Sequence, residues 1–133
     1  MTYVIDTNII TAILKENEKV KKRIQKAILQ GEMIFINSIS YYETKRGLLA
    51  SNATAKLKRF EAICKEFGVV LLDSLDIFDR AAEIYANLKE RGELIEDADI
   101  LIASVVSFRN FILVSDDTHF NRIQGLNIEN WLN

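Results

Sequence analysis

A short apolar run near the start of the chain ends in a carboxylate. Tyr3, Val4 and Ile5 can be buried on both faces of a sheet, and Asp6 follows them directly. Runs of this kind are typical of central strands in parallel sheets. In open α/β sheets, ligands bind beyond the carboxyl ends of the strands. The sequence therefore predicts that Asp6 lies at the sheet edge where a functional site would form.

After that run, strand-like and helix-like segments alternate. Apolar runs predict further strands at residues 33–36, 69–72 and 111–114, with a short fifth strand at 126–128. Apolar residues at helical spacing predict helices at 7–15 and 18–30. Apolar content, capping residues and glycine stops predict four more, at 39–49, 55–66, 76–91 and 97–108. Such alternation indicates a parallel sheet with helices on both faces. We expect an α/β fold, an α/β/α sandwich around a mostly parallel sheet of four or five strands.

Length and composition limit how the chain is organised. Its 133 residues with 49% hydrophobic content are enough for one packed core and too few to suggest two, so we expect residues 1–133 to form a single domain. No apolar run approaches the roughly 20 residues of a membrane helix, and the chain does not open with a signal-peptide pattern. The single cysteine, Cys64, excludes an internal disulfide and is compatible with a reducing compartment. These features predict a cytoplasmic protein.

Basic and acidic residues are divided unevenly along the chain, although the net charge is only −2. Through Glu66 there are twelve Lys and Arg against seven Asp and Glu, whereas the remainder has five against twelve. A basic surface that faces a polyanion would give such a division, and so would ordinary solvated helix faces. The charge pattern is therefore compatible with a nucleic-acid partner without requiring one.

Carboxylates recur where the predicted segments meet the carboxyl edge of the sheet. They are Asp6, Glu43, Asp97, Asp99, Asp116 and Asp117. Close carboxylates repel one another and raise one another's pKa unless a cation neutralises them. A ligand set made only of oxygens suits Mg²⁺ or Mn²⁺. The sequence therefore predicts a site for one of these ions at this edge.

Each of these acids also has a purely structural interpretation. Asp6 could cap the helix that follows it, and Glu43 stands three residues after Ser40 in the capping-box pattern Ser-x-x-Glu. Asp97 and Asp99 could both be first-turn acids stabilised by the helix dipole. These two lie about 200° apart on a helix, so only one of them can point toward a given site. Single acids are ambiguous, and their recurrence at one edge favours a functional role.

Four segments resemble, in order, the motifs of PIN domains, and the last of them resembles the VapC toxin branch of that family. They are Val-Ile-Asp-Thr-Asn at 4–8, Ser-Ile-Ser-Tyr-Tyr-Glu at 38–43 with Arg-Gly-Leu-Leu at 46–49, Asp-Ala-Asp-Ile-Leu-Ile-Ala at 97–103, and Leu-Val-Ser-Asp-Asp at 113–117 with the tail through Trp131. The first motif alone is unspecific, whereas four ordered motifs are specific. The resemblance covers the whole chain.

The resemblance implies a metal-dependent endoribonuclease that uses Mg²⁺ or Mn²⁺ and serves as the toxin of a type II toxin–antitoxin pair. The catalytic, metal-binding acids of the family fall on four positions of this sequence: Asp6, Glu43, Asp99 and Asp117. Asn8 and Ser115 fall on polar positions that support those acids, and Ser115 stands where the family usually has threonine. The Ile-Ala pair that follows Asp99 favours it over Asp97 as the ligand.

Hydrolysis of RNA by water, rather than attack by the ribose 2′-hydroxyl, is the mechanism that follows from this resemblance. It needs no general-base histidine, so His119 is expected to be a helix-surface residue. Lys45 and Arg46, nearest the predicted site, are candidate contacts to the RNA backbone. Lys22 and Arg23 are explained equally well as part of a solvated helix face.

The resemblance also implies protein partners. We expect a VapB-like antitoxin and a homodimer, with a larger hetero-oligomer of toxin and antitoxin as an alternative assembly. An apolar groove for the antitoxin is expected from residues of the first and third helices, namely Ile9, Ile10, Ile13, Leu14, Leu48 and Leu49. Core packing explains these residues equally well.

Three other classes of protein share some of these features. Haloacid-dehalogenase-like phosphatases also place an acid after the first strand, but they need a second Asp two residues later, where this chain has Asn8. Receiver domains need an acidic pair after the first strand and a lysine after the last, and this chain has neither. A PIN fold that binds RNA without catalysis is the remaining alternative, and the presence of all four acids argues against it.

Overall fold

The computed structural model describes all residues from Met1 to Asn133 and contains one five-stranded sheet. Its strands are β1 (Thr2–Ile5), β2 (Met33–Asn37), β3 (Val69–Val70), β4 (Ile112–Val114) and β5 (Ile128–Glu129). The order across the sheet is β3-β2-β1-β4-β5, and every neighbouring pair is parallel. The expected α/β class is confirmed, and the sheet is entirely rather than mostly parallel.

Helices form all but one of the connections between strands. They are α1 (Thr7–Leu14), α2 (Glu18–Leu29), α3 (Ser38–Ala50), α4 (Thr54–Phe67), α5 (Leu75–Glu90) and α6 (Asp97–Phe108), and a short 3-10 helix, Thr118–Arg122, joins β4 to β5. Each helix begins and ends within one residue of its predicted position. No helix is long and apolar enough to cross a membrane.

The core is divided between the two faces of the sheet. Tyr3 and Ile5 of β1 pack on the face covered by α1, α2 and α4, and Val4 packs on the opposite face, against α5 and α6. Side chains alternate between faces along a strand, so a strand covered on both sides must be apolar throughout. All three residues are at most 2% exposed, which explains the continuous apolar run at the start of the sequence.

The two edge strands differ from their predicted positions. β3 ends at Val70 instead of residue 72, and β5 occupies Ile128–Glu129 instead of 126–128. Each edge strand pairs with a single neighbour. Leu72 and Leu126 pack against the core without joining the sheet, so their apolar character did not indicate strand pairing.

The order of the strands creates a crevice between β1 and β4. The chain moves outward from β1 through β2 to β3 and then returns to β4 on the other side of β1. Ile5 pairs with Val114, so the residues that follow them, Asp6 and Ser115, lie side by side. Open α/β sheets bind ligands where the strand order reverses in this way.

Candidate active site

An open cavity of about 580 Å³ lies beyond the carboxyl ends of β1 and β4. Four of the predicted acids line it: Asp6, Glu43, Asp99 and Asp117. They come from the end of β1, the middle of α3, the first turn of α6 and the loop after β4. The fold therefore gathers carboxylates from four separate segments at one place.

Asp6 is 4% exposed and is held by uncharged donors. Its Oδ1 accepts hydrogen bonds from the Thr7 amide (2.8 Å) and the Ser40 hydroxyl (3.3 Å). Its Oδ2 accepts one from the Ser115 hydroxyl (2.7 Å). Burial raises the pKa of the Asp6 carboxyl, while the bonds from Ser115 and Thr7 lower it. The Thr7 bond also makes Asp6 the N-cap of α1, so the residue both caps a helix and faces the cavity.

Asn8 and Ser115 connect the loop after β4 to Asp6. Asn8 Nδ2 lies 3.3 Å from Ser115 Oγ and 3.5 Å from Asp6 Oδ2. Asn8 Oδ1 accepts the backbone amide of Asp116 (3.1 Å), and the Ser115 hydroxyl accepts that of Asp117 (3.1 Å). Side chains at the start of α1 and the end of β4 thus fix the position of Asp117.

Asn37, rather than Ser40, caps the helix that carries Glu43. Asn37 is fully buried, and its Oδ1 accepts the Ser40 amide at 2.7 Å. Its Nδ2 donates to the Ile5 carbonyl (3.0 Å) and to Ser40 Oγ (2.9 Å), which ties β1 to α3. Glu43 Oε1 accepts the Thr7 hydroxyl at 3.1 Å. The capping-box interpretation of Ser40 and Glu43 is therefore wrong.

Replacing Asn37 with alanine should lower the free energy of unfolding by about 2–3 kcal/mol, because the helix loses its cap and buried groups of Ile5 and Ser40 lose a partner. Urea denaturation followed by circular dichroism measures the loss. Asn17→Ala is the matched control, since Asn17 caps α2 through the Val20 amide alone and should cost about 1 kcal/mol. Equal losses in the two variants would show that the bonds from Asn37 to β1 add nothing.

His119 contacts two of the acids and is not the helix-surface residue that the sequence predicted. Its Nε2 lies 2.9 Å from Asp99 Oδ2, and its Nδ1 lies 3.9 Å from Asp117 Oδ1. The Nε2 contact is not aligned as a hydrogen bond, so it is a charge contact when the imidazole is protonated. The pKa of Asp99 is raised, mainly by burial. The charge of His119 lowers this pKa, and the charges of the neighbouring acids, of which Asp6 has the largest effect, raise it.

Sequence reasoning missed two further charged residues of the cavity, Glu96 and Arg122. Glu96 precedes α6 and is one of the acids whose charge raises the pKa of Asp99. Arg122 donates to the Leu94 carbonyl at 3.1 Å and so ties the 3-10 helix to the segment before α6. Arg122 and His119 both belong to the closing motif of the sequence, so the motif could have indicated them. It did not show that their side chains reach the cavity.

The cavity suits a hard divalent cation. Its acidic groups supply oxygen donors, and no cysteine lines it. The charge of Asp117 contributes to the raised pKa of both Asp6 and Asp99, and a cation would relieve that repulsion. No three acidic or histidine side chains converge closely enough to hold an ion together. In this arrangement at most two of them could bind an ion directly, and water would complete its shell, as Mg²⁺ commonly allows.

Comparison with known proteins agrees with this geometry. Residues 3–126 match the family model of the PIN domain. The chain belongs to the PIN-domain family. Ribonuclease VapC1 of Methanocaldococcus jannaschii is 30% identical over 126 residues, which cover 94% of this PIN domain and 83% of the relative. Ribonuclease VapC2 of Rickettsia felis is 30% identical over 140 residues, with 98% of both chains covered.

Solved structures resemble this PIN domain along nearly its whole length. A chain of VapBC2 from Rickettsia felis, crystallised with a fragment of promoter DNA, superposes with a TM-score of 0.89 at 25% identity and covers 98% of this chain and 99% of that one. A chain of VapBC-1 from nontypeable Haemophilus influenzae superposes with a TM-score of 0.87 at 23% identity over 100% of both chains, a likeness of fold alone. Because the chain belongs to the PIN-domain family, the alternative of a haloacid-dehalogenase-like phosphatase is wrong.

The structure does not bring Lys45, Arg46 or Asp97 into the cavity of the PIN domain. Lys45 Nζ donates to Tyr41 Oη at 3.1 Å, and the guanidinium of Arg46 lies 5.0 Å from the centroid of the Tyr42 ring. Asp97 is exposed in the first turn of α6. Any RNA contact by the two basic residues therefore lies outside this cavity, which we call the acid cavity.

The expected apolar groove of the PIN domain is mostly core. Ile9 and Ile10 are fully buried and Leu14 is 7% exposed, because this side of α1 packs under the sheet face that carries Tyr3. Leu49 is 55% exposed on α3. Of the two explanations for these apolar residues, core packing is correct for Ile9, Ile10 and Leu14.

Proposed function

We propose that this PIN domain is a divalent-metal-dependent endoribonuclease, the toxin of a toxin–antitoxin pair. The observation that carries the proposal is the convergence of four acids on one cavity, where the buried Asp6 has no basic partner. Burying an unpaired charge is costly, so a purely structural role would be better served by an uncharged side chain. The names of the VapC relatives, which are ribonucleases, support the same activity.

The four acids and their neighbours have different parts in this mechanism. Asp6, fixed by the hydroxyl of Ser115, presents a stationary ligand oxygen. The other acids of the cavity, Asp99, Asp117 and Glu43, would act on the ion either directly or through water, and the Thr7 hydroxyl holds Glu43 in place. Mg²⁺ or Mn²⁺, when bound, supplies positive charge for the scissile phosphate and acidity for an attacking water.

His119 belongs to this mechanism as a charge partner rather than as a base. Its imidazole lies against the carboxylate of Asp99, and in the protonated form it offsets part of the negative charge of the cavity. Water is the nucleophile and the 3′-oxygen is the leaving group, so the RNA fragments carry a 5′-phosphate and a 3′-hydroxyl. A histidine that activated the ribose 2′-hydroxyl would instead leave a 2′,3′-cyclic phosphate.

Chelation of divalent ions with EDTA should lower RNA cleavage at least about a hundredfold, because an ion contributes several kcal/mol and about 1.4 kcal/mol corresponds to a factor of ten in rate. Excess Mg²⁺ or Mn²⁺ should restore it. Cleavage of an end-labelled RNA measures the rate, and mass spectrometry of the fragments identifies their ends. The Asp6→Asn variant, purified in parallel, controls for contaminating nuclease. Undiminished cleavage in EDTA, or cyclic phosphate ends, would contradict the proposal.

We further propose that a VapB-like antitoxin inhibits this protein. The solved structures that resemble it include VapBC complexes from Rickettsia felis and Haemophilus influenzae. The cavity holds five acidic residues against Arg122 and His119, so a basic side chain from a partner would compete with a metal ion for the carboxylates. Tyr42 and Leu49 are exposed on α3, the helix that also carries Glu43, and offer apolar contacts to a partner. Pairing of two copies into a homodimer stays a prediction.

A further inference from the structure

A second open cavity, of about 570 Å³, lies between α2 and the C-terminal segment. We call it the basic groove and define it by Lys19, Lys22 and Lys26 on α2 and by Asn130 and Trp131 opposite them. All three lysines are exposed, and none of them forms an ion pair. Three positive charges without an acidic partner therefore face one concave surface.

The spacing of the lysines follows from the helix. Lys19, Lys22 and Lys26 stand three and four residues apart, so they share one face of α2, while Val20 and Ile24 on another face are buried in the core. At 1.5 Å of rise per residue, the three lysines are about 4.5 Å and 6 Å apart along the helix axis. They form a row of charges rather than a single point of charge.

The side chains opposite the lysines are braced by Arg23 of α2 and carry no unpaired negative charge. The guanidinium of Arg23 lies 5.3 Å from the ring centroid of Tyr3 and 4.8 Å from that of Trp131. Glu129, the one acid that lines the groove, accepts a hydrogen bond from Arg23 (3.3 Å) and another from Trp131 Nε1 (3.0 Å). Its charge is thus compensated, and the groove stays basic.

A short chain of hydrogen bonds links the basic groove to the acid cavity. Asn130 Nδ2 donates to Asp116 Oδ1 at 2.8 Å, and the Asp116 amide donates to Asn8 Oδ1 at 3.1 Å. Asp116 immediately precedes Asp117, which lines the acid cavity, and Asn8 lines it as well. One polymer lying on the surface could therefore occupy both places.

We propose that the basic groove binds backbone phosphates of the RNA substrate on one side of the scissile bond. This inference deepens the proposed function and rests on it. Lysine rows bind a phosphate backbone through charge, independently of base sequence. A protein segment would find no exposed hydrophobic side chain to pack against, since the single hydrophobic residue of the lining, Trp131, is only 4% exposed. RNA therefore fits the groove better than an acidic protein segment.

Two triple variants with the same change of charge test this proposal. Lys19→Gln with Lys22→Gln and Lys26→Gln removes the row of charges. The matched control replaces the exposed α4 lysines, which lie outside the groove, by glutamine: Lys56, Lys58 and Lys65. Every substituted side chain is exposed, so both variants should fold, and thermal melting monitors this.

Binding is measured in EDTA, which prevents cleavage, by fluorescence anisotropy of a labelled single-stranded RNA over a range of salt concentrations. Each lost phosphate contact should lower the slope of log affinity against log salt by about 0.7, so the groove variant should lose about 2 and bind at least about tenfold more weakly at low salt. The control variant should keep the slope of the natural protein. Equal slopes in the two variants would overturn the proposal.

Cleavage in Mg²⁺ gives a second readout. The groove variant should have a higher KM for a long RNA with kcat unchanged. A dinucleotide, whose only backbone phosphate is the scissile one, should be cleaved as by the natural protein. If a polyglutamate peptide loses binding to the groove variant while RNA does not, the groove serves an acidic protein segment and the proposal is overturned. If the natural protein cleaves no RNA with any metal, the proposed function fails, while anisotropy still decides whether the groove binds RNA.

Discussion

Replacing Asp6 with asparagine should lower RNA cleavage by at least about a hundredfold without unfolding the protein. Asparagine keeps an oxygen that can accept the Thr7 amide, so the cap of α1 survives. It carries no charge for a divalent ion, whose contribution of several kcal/mol corresponds to two or more factors of ten in rate, at about 1.4 kcal/mol each. Single-turnover cleavage of a labelled RNA at saturating Mg²⁺ measures the effect.

The same substitution should change how stability depends on pH. Burial raises the pKa of Asp6 above its ordinary 3.8, so the folded metal-free protein holds this proton more tightly than the unfolded chain. Stability of the natural protein should therefore fall as pH rises from about 3.8 through the raised pKa, and stay lower above it. The asparagine side chain does not titrate, so the variant should lack this part of the decline. Urea unfolding in EDTA at several pH values compares the two proteins.

Asp79→Asn is a suitable control for both measurements, because it removes the same charge from an exposed residue of α5 that forms no ion pair and does not line the cavity. It should leave cleavage and the pH dependence of stability unchanged. If Asp6→Asn instead melts far below the natural protein, and cleavage falls only in proportion to the folded fraction, then Asp6 is a helix cap and no more.

Substitutions of the two acids at the start of α6, Asp97 and Asp99, should have clearly different effects on RNA cleavage. Asp99→Asn should lower cleavage at least about a hundredfold, since Asp99 lines the cavity beside Asp6 and Asp117 and its loss removes a ligand. Asp97→Asn should leave the rate within about a factor of two and cost about 0.3–1 kcal/mol of stability, the usual value of a first-turn acid near the helix dipole. Cleavage rates and urea unfolding of both variants provide the comparison.

The two substitutions control for each other, because both remove one negative charge from the first turn of the same helix. A purely long-range effect of charge on RNA capture would raise or lower KM in both variants alike. Equal losses of kcat at unchanged fold would mean that Asp97 reaches the ion as well, contrary to its exposed position outside the cavity.

The sequence was most informative where a single physical requirement decided the structure. Val4 and Ile5 had to be apolar because their strand is covered on both faces, so a central strand and its carboxyl end could be predicted. Helix α6 was equally predictable, because a buried apolar segment of this length is too long for a strand. The position of the edge strand β5 could not be predicted in this way. Leu126 is apolar because it packs against the core, whereas the polar Glu129 joins the sheet through its backbone.

The candidate site was predictable only in part for a related reason. An acid at the end of a central parallel strand lies where ligands bind, so Asp6 could be assigned to the site before any interatomic distance was known. His119 and Arg122 reach the cavity because the 3-10 helix folds back against the start of α6, and no local pattern encodes that contact. The network from Asn37 through Ser40 to Asp6 was hidden because a capping box explained the same residues.

The donors that position Asp6 are a backbone amide and the hydroxyls of Ser115 and Ser40, all of them uncharged. Dissolved salt screens exposed charges and has little effect on buried hydrogen bonds. Salt therefore screens the exposed lysines of the basic groove, whereas the position of the buried Asp6 carboxylate does not depend on the salt concentration. We therefore expect ionic strength to change how tightly the proposed groove holds RNA, and to leave the position of the Asp6 carboxylate unchanged.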